Sequence, residues 1–262
     1  MLQQRMFFLM HACILTMIVY LANVWFTDRR GYRCKVAEKY NRNHSGVGMK
    51  KQQQGFTLIE LAIVLVIIGL LLGGVLKGQD LIASAKAKNM IADFKNAQIF
   101  IYAYQDRYRA LPGDDAGVVT HVSGATLATT GGTVGNGRIE GQWDSATVTD
   151  ESALFWQHVR LAGLASGSTA TGNADYFPKN SEAGRIGVQS AGAGFDEIAG
   201  MTGTYVACSA NIPGKIAKQI DISLDDGETS TGSVRARDAN NANGVTAANV
   251  VEGSPYTVCM TF

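Results

Sequence analysis

The chain has 262 residues, 46% of them apolar and 17% charged, with 30 glycines, 4 prolines and a formal net charge of +1. That apolar share excludes a disordered chain, and the length leaves room for one large domain or two small ones. The charge is unevenly placed. Residues 1–55 carry nine Lys/Arg against two acids, whereas the 207 residues that follow carry 14 basic and 20 acidic groups. An acidic bulk disfavours a polyanion partner, so no nucleic acid is expected.

Two apolar stretches come first in chain order. Met6 to Phe26 and Phe56 to Leu76 are each 21 residues long, the second interrupted only by Glu60. As helices they measure roughly 30 Å, the thickness of a bilayer's hydrocarbon core. Soluble helices seldom stay apolar on every face over that length, so membrane lipid is an expected partner. Lys50 and Lys51 precede the second stretch, and Arg29, Arg30, Arg33 and Lys35 follow the first. The positive-inside rule then puts residues 27–55 in the cytoplasm and everything after Lys77 across the membrane. Cysteines on that side can stay oxidised.

The run Lys50-Lys51-Gln52-Gln53-Gln54-Gly55-Phe56-Thr57-Leu58-Ile59-Glu60 resembles the prepilin signal of type IV pilins and type II secretion pseudopilins. A short basic leader ends in Gly55, an aromatic stands at the new N-terminus, and a carboxylate occupies the fifth mature position. The resemblance implies that prepilin peptidase cuts between Gly55 and Phe56 and that Phe56 is N-methylated. It also implies other pilin or pseudopilin subunits and an inner-membrane assembly platform as partners. Glu60 has two readings. In one it closes a capping box with Thr57. In the other it is the assembly residue, pairing in the filament with the new Phe56 amine of a neighbour, because a carboxylate among apolar helices is costly unpaired. Residues 49–55 serve as the leader. Residues 1–48 are read either as an upstream extension from a mis-assigned start or as an extra membrane anchor. Their cysteines, Cys13 and Cys34, carry no argument.

Beyond Lys77 the apolar character narrows to one stripe. Ala83, Ala87, Met90, Phe94, Ala97, Ile101, Tyr104 and Tyr108 step by three and four residues, which marks one face of a helix. Leu111-Pro112-Gly113 supplies the stop. The span 56–110 is thus expected to be a helix about 80 Å long, in lipid over 56–76 and under a sheet thereafter. Gly69, Gly73, Gly74 and Gly78 mark the easiest place to bend, or a close-packing face.

Residues 111–262 form the expected head, rich in glycine and loops. A helix is predicted from Asp150 as N-cap to about Leu164, and a second from Pro213 towards Ile220. Strands are predicted at Arg185–Gln189, Thr204–Cys208, Gly232–Arg237 and Tyr256–Phe262. The fold class expected is α+β: a pilin-like long helix on a small antiparallel sheet, with a loop-rich C-terminal region. Leu111-Pro112-Gly113-Asp114-Asp115, Gly135-Asn136-Gly137 and Trp156-Gln157-His158 also resemble larger-headed proteobacterial pilin-like proteins.

Cys208 and Cys259 are the only cysteines after Gly55. Pilins commonly carry a C-terminal disulfide, and the resemblance implies that these two pair; two buried free thiols are the alternative. Asp221, Asp225, Asp226, Glu228 and Asp238 surround a turn at Gly227. No cofactor is expected, except that Asp225 and Asp226 are candidates for calcium, as in a similar late loop of some pseudopilins. A solvated acidic turn is the competing reading, because EF-hand spacing is absent. Gly135 to Glu140 is a weaker candidate.

An enzyme is not expected. After Gly55 the chain has only His121 and His158, with none of the common nucleophile, zinc or nucleotide motifs. The function these residues imply is a structural filament subunit of the inner membrane and then of a pilus or pseudopilus in a Gram-negative bacterium, with a minor or pilin-like role and a periplasmic head. The alternative is a filament-tip module engaging DNA, a surface or secreted cargo.

Overall fold

The structure is a computed structural model that describes residues 57–192, 198, 200–239 and 250–262. The upstream extension, the first apolar stretch, the leader, Gly55 and Phe56 lie outside the described residues. Elements run α1 (Leu58–Tyr108), α2 (Val118–His121), α3 (Glu151–Leu161), β1 (Ile186–Ser190), β2 (Tyr205–Pro213), α4 (Gly214–Leu224), β3 (Val234–Asp238) and β4 (Pro255–Thr261). This is the α+β, pilin-like arrangement expected: one long apolar helix and a four-stranded antiparallel sheet.

At 51 residues, α1 is about 76 Å long. Thr57 caps its start, and it ends where Arg109 turns left-handed (φ 56°) and donates its N–H to the Gln105 carbonyl. Ala87, Met90, Phe94, Ala97, Ile101 and Tyr104 are buried, the face the 3–4 stripe marks. They pack against β-strand residues Val188, Ala207, Val258 and Val234 and against Ile216, Ala217 and Ile220 of α4.

The sheet order is β1-β2-β4-β3, and every neighbour is antiparallel. Side chains alternate between its faces as strand geometry requires. Ala207, Val258 and Met260 join the core under α1. Val206, Cys208 and Cys259 join a second cluster with Trp143, Ile198 and Met201. The register sets Cys208 opposite Cys259. The two are bonded as a disulfide, with Cα atoms 4.1 Å apart.

The predicted elements shift at their ends. The Asp150 side chain does not cap α3; it accepts instead from Thr130 and Ser145 hydroxyls, and the helix closes at Leu161. Pro213 is the N-cap of α4 and the last residue of β2, not the first helical residue, and α4 runs on to Leu224. β2 extends to Pro213 through a register shift between Ser209 and Ile212, where Asn211 adopts φ 57°.

Candidate functional site

The first turns of α1 are built by three hydrogen bonds within one box. The Thr57 N–H and its hydroxyl both donate to Glu60 Oε2 at 2.8 Å, and the Glu60 N–H donates to Thr57 Oγ1 at 3.3 Å. Glu60 therefore has a local partner in the single chain, the capping-box arrangement. Around it, fourteen large aliphatic residues between Leu58 and Leu76 face outward, Leu58 being 89% exposed. Left in water, each forgoes roughly 1.5–3 kcal/mol of burial. The sum runs to tens of kcal/mol, more than a domain's whole stability. This half of α1 requires lipid or other apolar helices around it. The helix is long and apolar enough to cross a membrane, and none of its most apolar 18-residue window is buried.

From Asp80 onward, side chains fasten the helix to the head. Lys215 of α4 pairs with Asp80. Lys86 reaches Glu182 at 2.7 Å. At the far end, buried Asp115 accepts from the Tyr104 hydroxyl (2.9 Å), the Gly117 N–H (2.8 Å) and His121 Nδ1 (2.8 Å). Burial and the Asp115 carboxylate together push the Tyr104 hydroxyl pKa far up. The ring of His121 stacks on Tyr108.

The Leu111-Pro112-Gly113-Asp114 wording has a structural use. Asp114 accepts from four successive backbone N–H groups, those of Gly135, Asn136, Gly137 and Arg138. The glycine-rich turn at 135–138 is thus a nest already filled by a carboxylate from this chain. The Gly113 N–H donates to His158 Nδ1 at 2.9 Å, and the Thr126 carbonyl lies 2.8 Å from His158 Nε2. Those partners fix a neutral ring with its proton on Nε2, and burial pushes its pKa down. Glu151, fully buried, accepts the Glu140 N–H at 2.8 Å. Burial, with Asp114, Glu140 and Asp150 nearby, pushes its carboxyl up to about 7. His121 and His158 are both engaged in holding loops.

The acidic turn is the remaining cluster. Asp221, Asp225 and Asp226 bring carboxylate oxygens within 4.8 Å of one another. Asp225 Oδ2 accepts from the N–H groups of Ser233, just before β3, and of Val234, its first residue. Asp226 accepts the Glu228 N–H at 2.9 Å and the Thr231 hydroxyl at 3.1 Å. Glu228 and Asp238 are not part of this grouping. Burial and the neighbouring acids push the Asp221 carboxyl up to about 6. The sequence named Asp221 only as a neighbour of the turn. The signal for it was its position four residues before Asp225, one helical turn away.

A family model described as the prokaryotic N-terminal methylation motif matches residues 50–76. No curated protein and no solved structure matches the chain. The matched residues take in Lys50, Lys51, the Gly55–Phe56 bond, Glu60 and the whole outward-facing apolar half of α1. The chain carries the N-terminal signal of type IV pilins and pseudopilins, joined to a pilin-like α+β body. That motif supports a pilin-like or pseudopilin subunit, structural rather than enzymatic. It implies processing by a prepilin peptidase and assembly with other pilin subunits.

Proposed function

We propose that this chain is a filament subunit stored in the inner membrane by residues 56–76. Prepilin peptidase removes everything up to Gly55 and methylates Phe56. The inner-membrane assembly platform then draws the chain into a type IV pilus or type II secretion pseudopilus. Residues 111–262 form a head facing the periplasm of a Gram-negative cell, and the glycine-rich, loop-built head suits a minor or pilin-like subunit. One observation carries this reading: α1 presents an unburied apolar half bearing a single carboxylate, continuous with a half that anchors a folded head.

Glu60 holds two roles in sequence. Before assembly its capping box with Thr57 keeps the carboxylate satisfied. On assembly it exchanges that box for the Phe56 amine of a neighbouring subunit, a stronger pairing where water is excluded. Co-expression with and without prepilin peptidase tests the first step. The expected result is a peptidase-dependent mass loss equal to residues 1–55, or to 49–55 if translation starts at Met49, less the one methyl group gained at Phe56. An unchanged mass with active peptidase would overturn the reading.

A further inference from the structure

Asp93 projects from the head-bound half of α1, half-buried, about 80° around the helix from the face that packs on the head. Among the described residues it has no hydrogen bond and no ion pair. Burial pushes its carboxyl up to about 6, and no described donor or cation draws it back. A carboxylate so placed gains from a cation brought by another molecule. On the opposite flank of the exposed side, Lys77, Lys88 and Lys95 lie within about 20° of one another. Between the flanks run Ala85, Ala92 and Ile99, exposed, uncharged and seven residues apart, the spacing that keeps one seam facing a parallel helix. An acid on one flank and bases on the other suit a head-to-tail contact, the kind that builds open helical arrays.

We propose that α1 carries a second subunit contact: Asp93 of one copy pairs with Lys88 of the next copy of this chain. Its register rests on the proposed pairing of Glu60 with a neighbour's Phe56 amine, which sets two parallel helices about four residues, or about 6 Å, out of step. Asp93 then stands level with Asn89 of the neighbour, about 1.5 Å along the axis from Lys88. The flexible four-carbon stem of a lysine spans that mismatch. Lys95 is about 9 Å away along the axis and Lys77 about 18 Å, so neither competes. Lys86 is also within axial reach, but Glu182 of its own head holds it at 2.7 Å. Asp93 lies about 60° around the helix from Glu60, so one neighbour meets both acids along one seam. The neighbour is a second copy because this one chain supplies both flanks at the matching offset. Pairing there closes the strip of Ala85, Ala92 and Ile99 against a helix and shields the ions from water and salt.

The test scores, by immunoblot, the fraction of the chain recovered in sheared filaments of cells that make prepilin peptidase. Asp93→Lys and Lys88→Asp should each lower it at least about fivefold, as like charges meet where opposite ones paired. Asp93→Lys with Lys88→Asp should restore it to within about twofold of the parent chain, and Lys95→Asp alone should leave it within the same margin. Melting in detergent checks that each variant folds; should Asp93→Lys fail, the exposed Lys88→Asp and carbodiimide treatment of parent filaments decide. Carbodiimide, which condenses a carboxylate with a touching amine, should give a dimer whose joined peptides hold Asp93 and Lys88. Normal incorporation of Lys88→Asp, an equal loss with Lys95→Asp, no rescue by a folded double exchange, or Asp93 joined to a different protein would overturn the proposal. If Glu60→Ala is missing from filaments while Lys88→Asp enters normally, the Glu60 reading stands and this contact alone fails. A parent chain absent from filaments would overturn both.

Discussion

Glu151→Gln isolates one buried charge. Glu151 is fully buried at the first position of α3, with Oε2 on the Glu140 N–H and Oε1 without a partner. Its carboxyl pKa of about 7 in the folded chain compares with 4.5 for the unperturbed group. A raised acid pKa means that the folded chain binds the proton more tightly than the unfolded one. Its contribution is therefore complete below pH 4.5 and is lost as pH rises through about 7. That difference is worth on the order of 3 kcal/mol. Glutamine keeps the shape and the acceptor for Glu140 and never ionises. Glu151→Gln should match the parent chain near pH 4.5. By pH 8 it should exceed it by about 3 kcal/mol, or about 6–12 °C in melting temperature. Thermal unfolding of both chains in detergent across pH 4.5–8.5 measures this, and taking the difference cancels other groups titrating in the same window. A Gln chain destabilised equally at both ends of the range would refute the reasoning.

Other outcomes follow from single contacts. Gly113→Ala should lower stability by at least about 2 kcal/mol, because φ there is 94° and an added Cβ would meet the Glu151 carbonyl. Denaturant midpoints check it. Reducing the Cys208–Cys259 bond, which closes a separation of 51 residues, should cost on the order of 4 kcal/mol if chain entropy dominates; melting with and without reductant reads the loss. Glu60→Ala should still be cleaved at Gly55 but be missing from sheared filaments, scored by mass spectrometry and immunoblot. Normal incorporation of that variant would remove the assembly role proposed for Glu60.

Local pattern and distant contact were unequally legible in the sequence. The stripe from Ala87 to Tyr104 was readable because helical periodicity is local and an unbroken core face needs all of it. The strands were readable to within a few residues, since β-branched and aromatic runs stand out from the glycine-rich loops. What stayed hidden depends on pairs brought together by the fold. Asp114 filling the 135–138 nest joins residues more than 20 positions apart, and no periodicity announces it. The Asp150 side chain looked like a helix cap, but Thr130 and Ser145 compete for its oxygens. Asp221 looked like one more surface acid, and only its burial sets it apart. For Glu60, a cap and an assembly partner demand the same residue at the same place; the single chain forms the cap.

The most direct measurement is the N-terminus of the chain recovered from sheared surface or periplasmic filaments of cells that make prepilin peptidase. The account predicts N-methylated Phe56 as the first residue. A filament-borne chain that starts at any other residue, or a chain absent from filaments while correctly cleaved in the membrane, would contradict it.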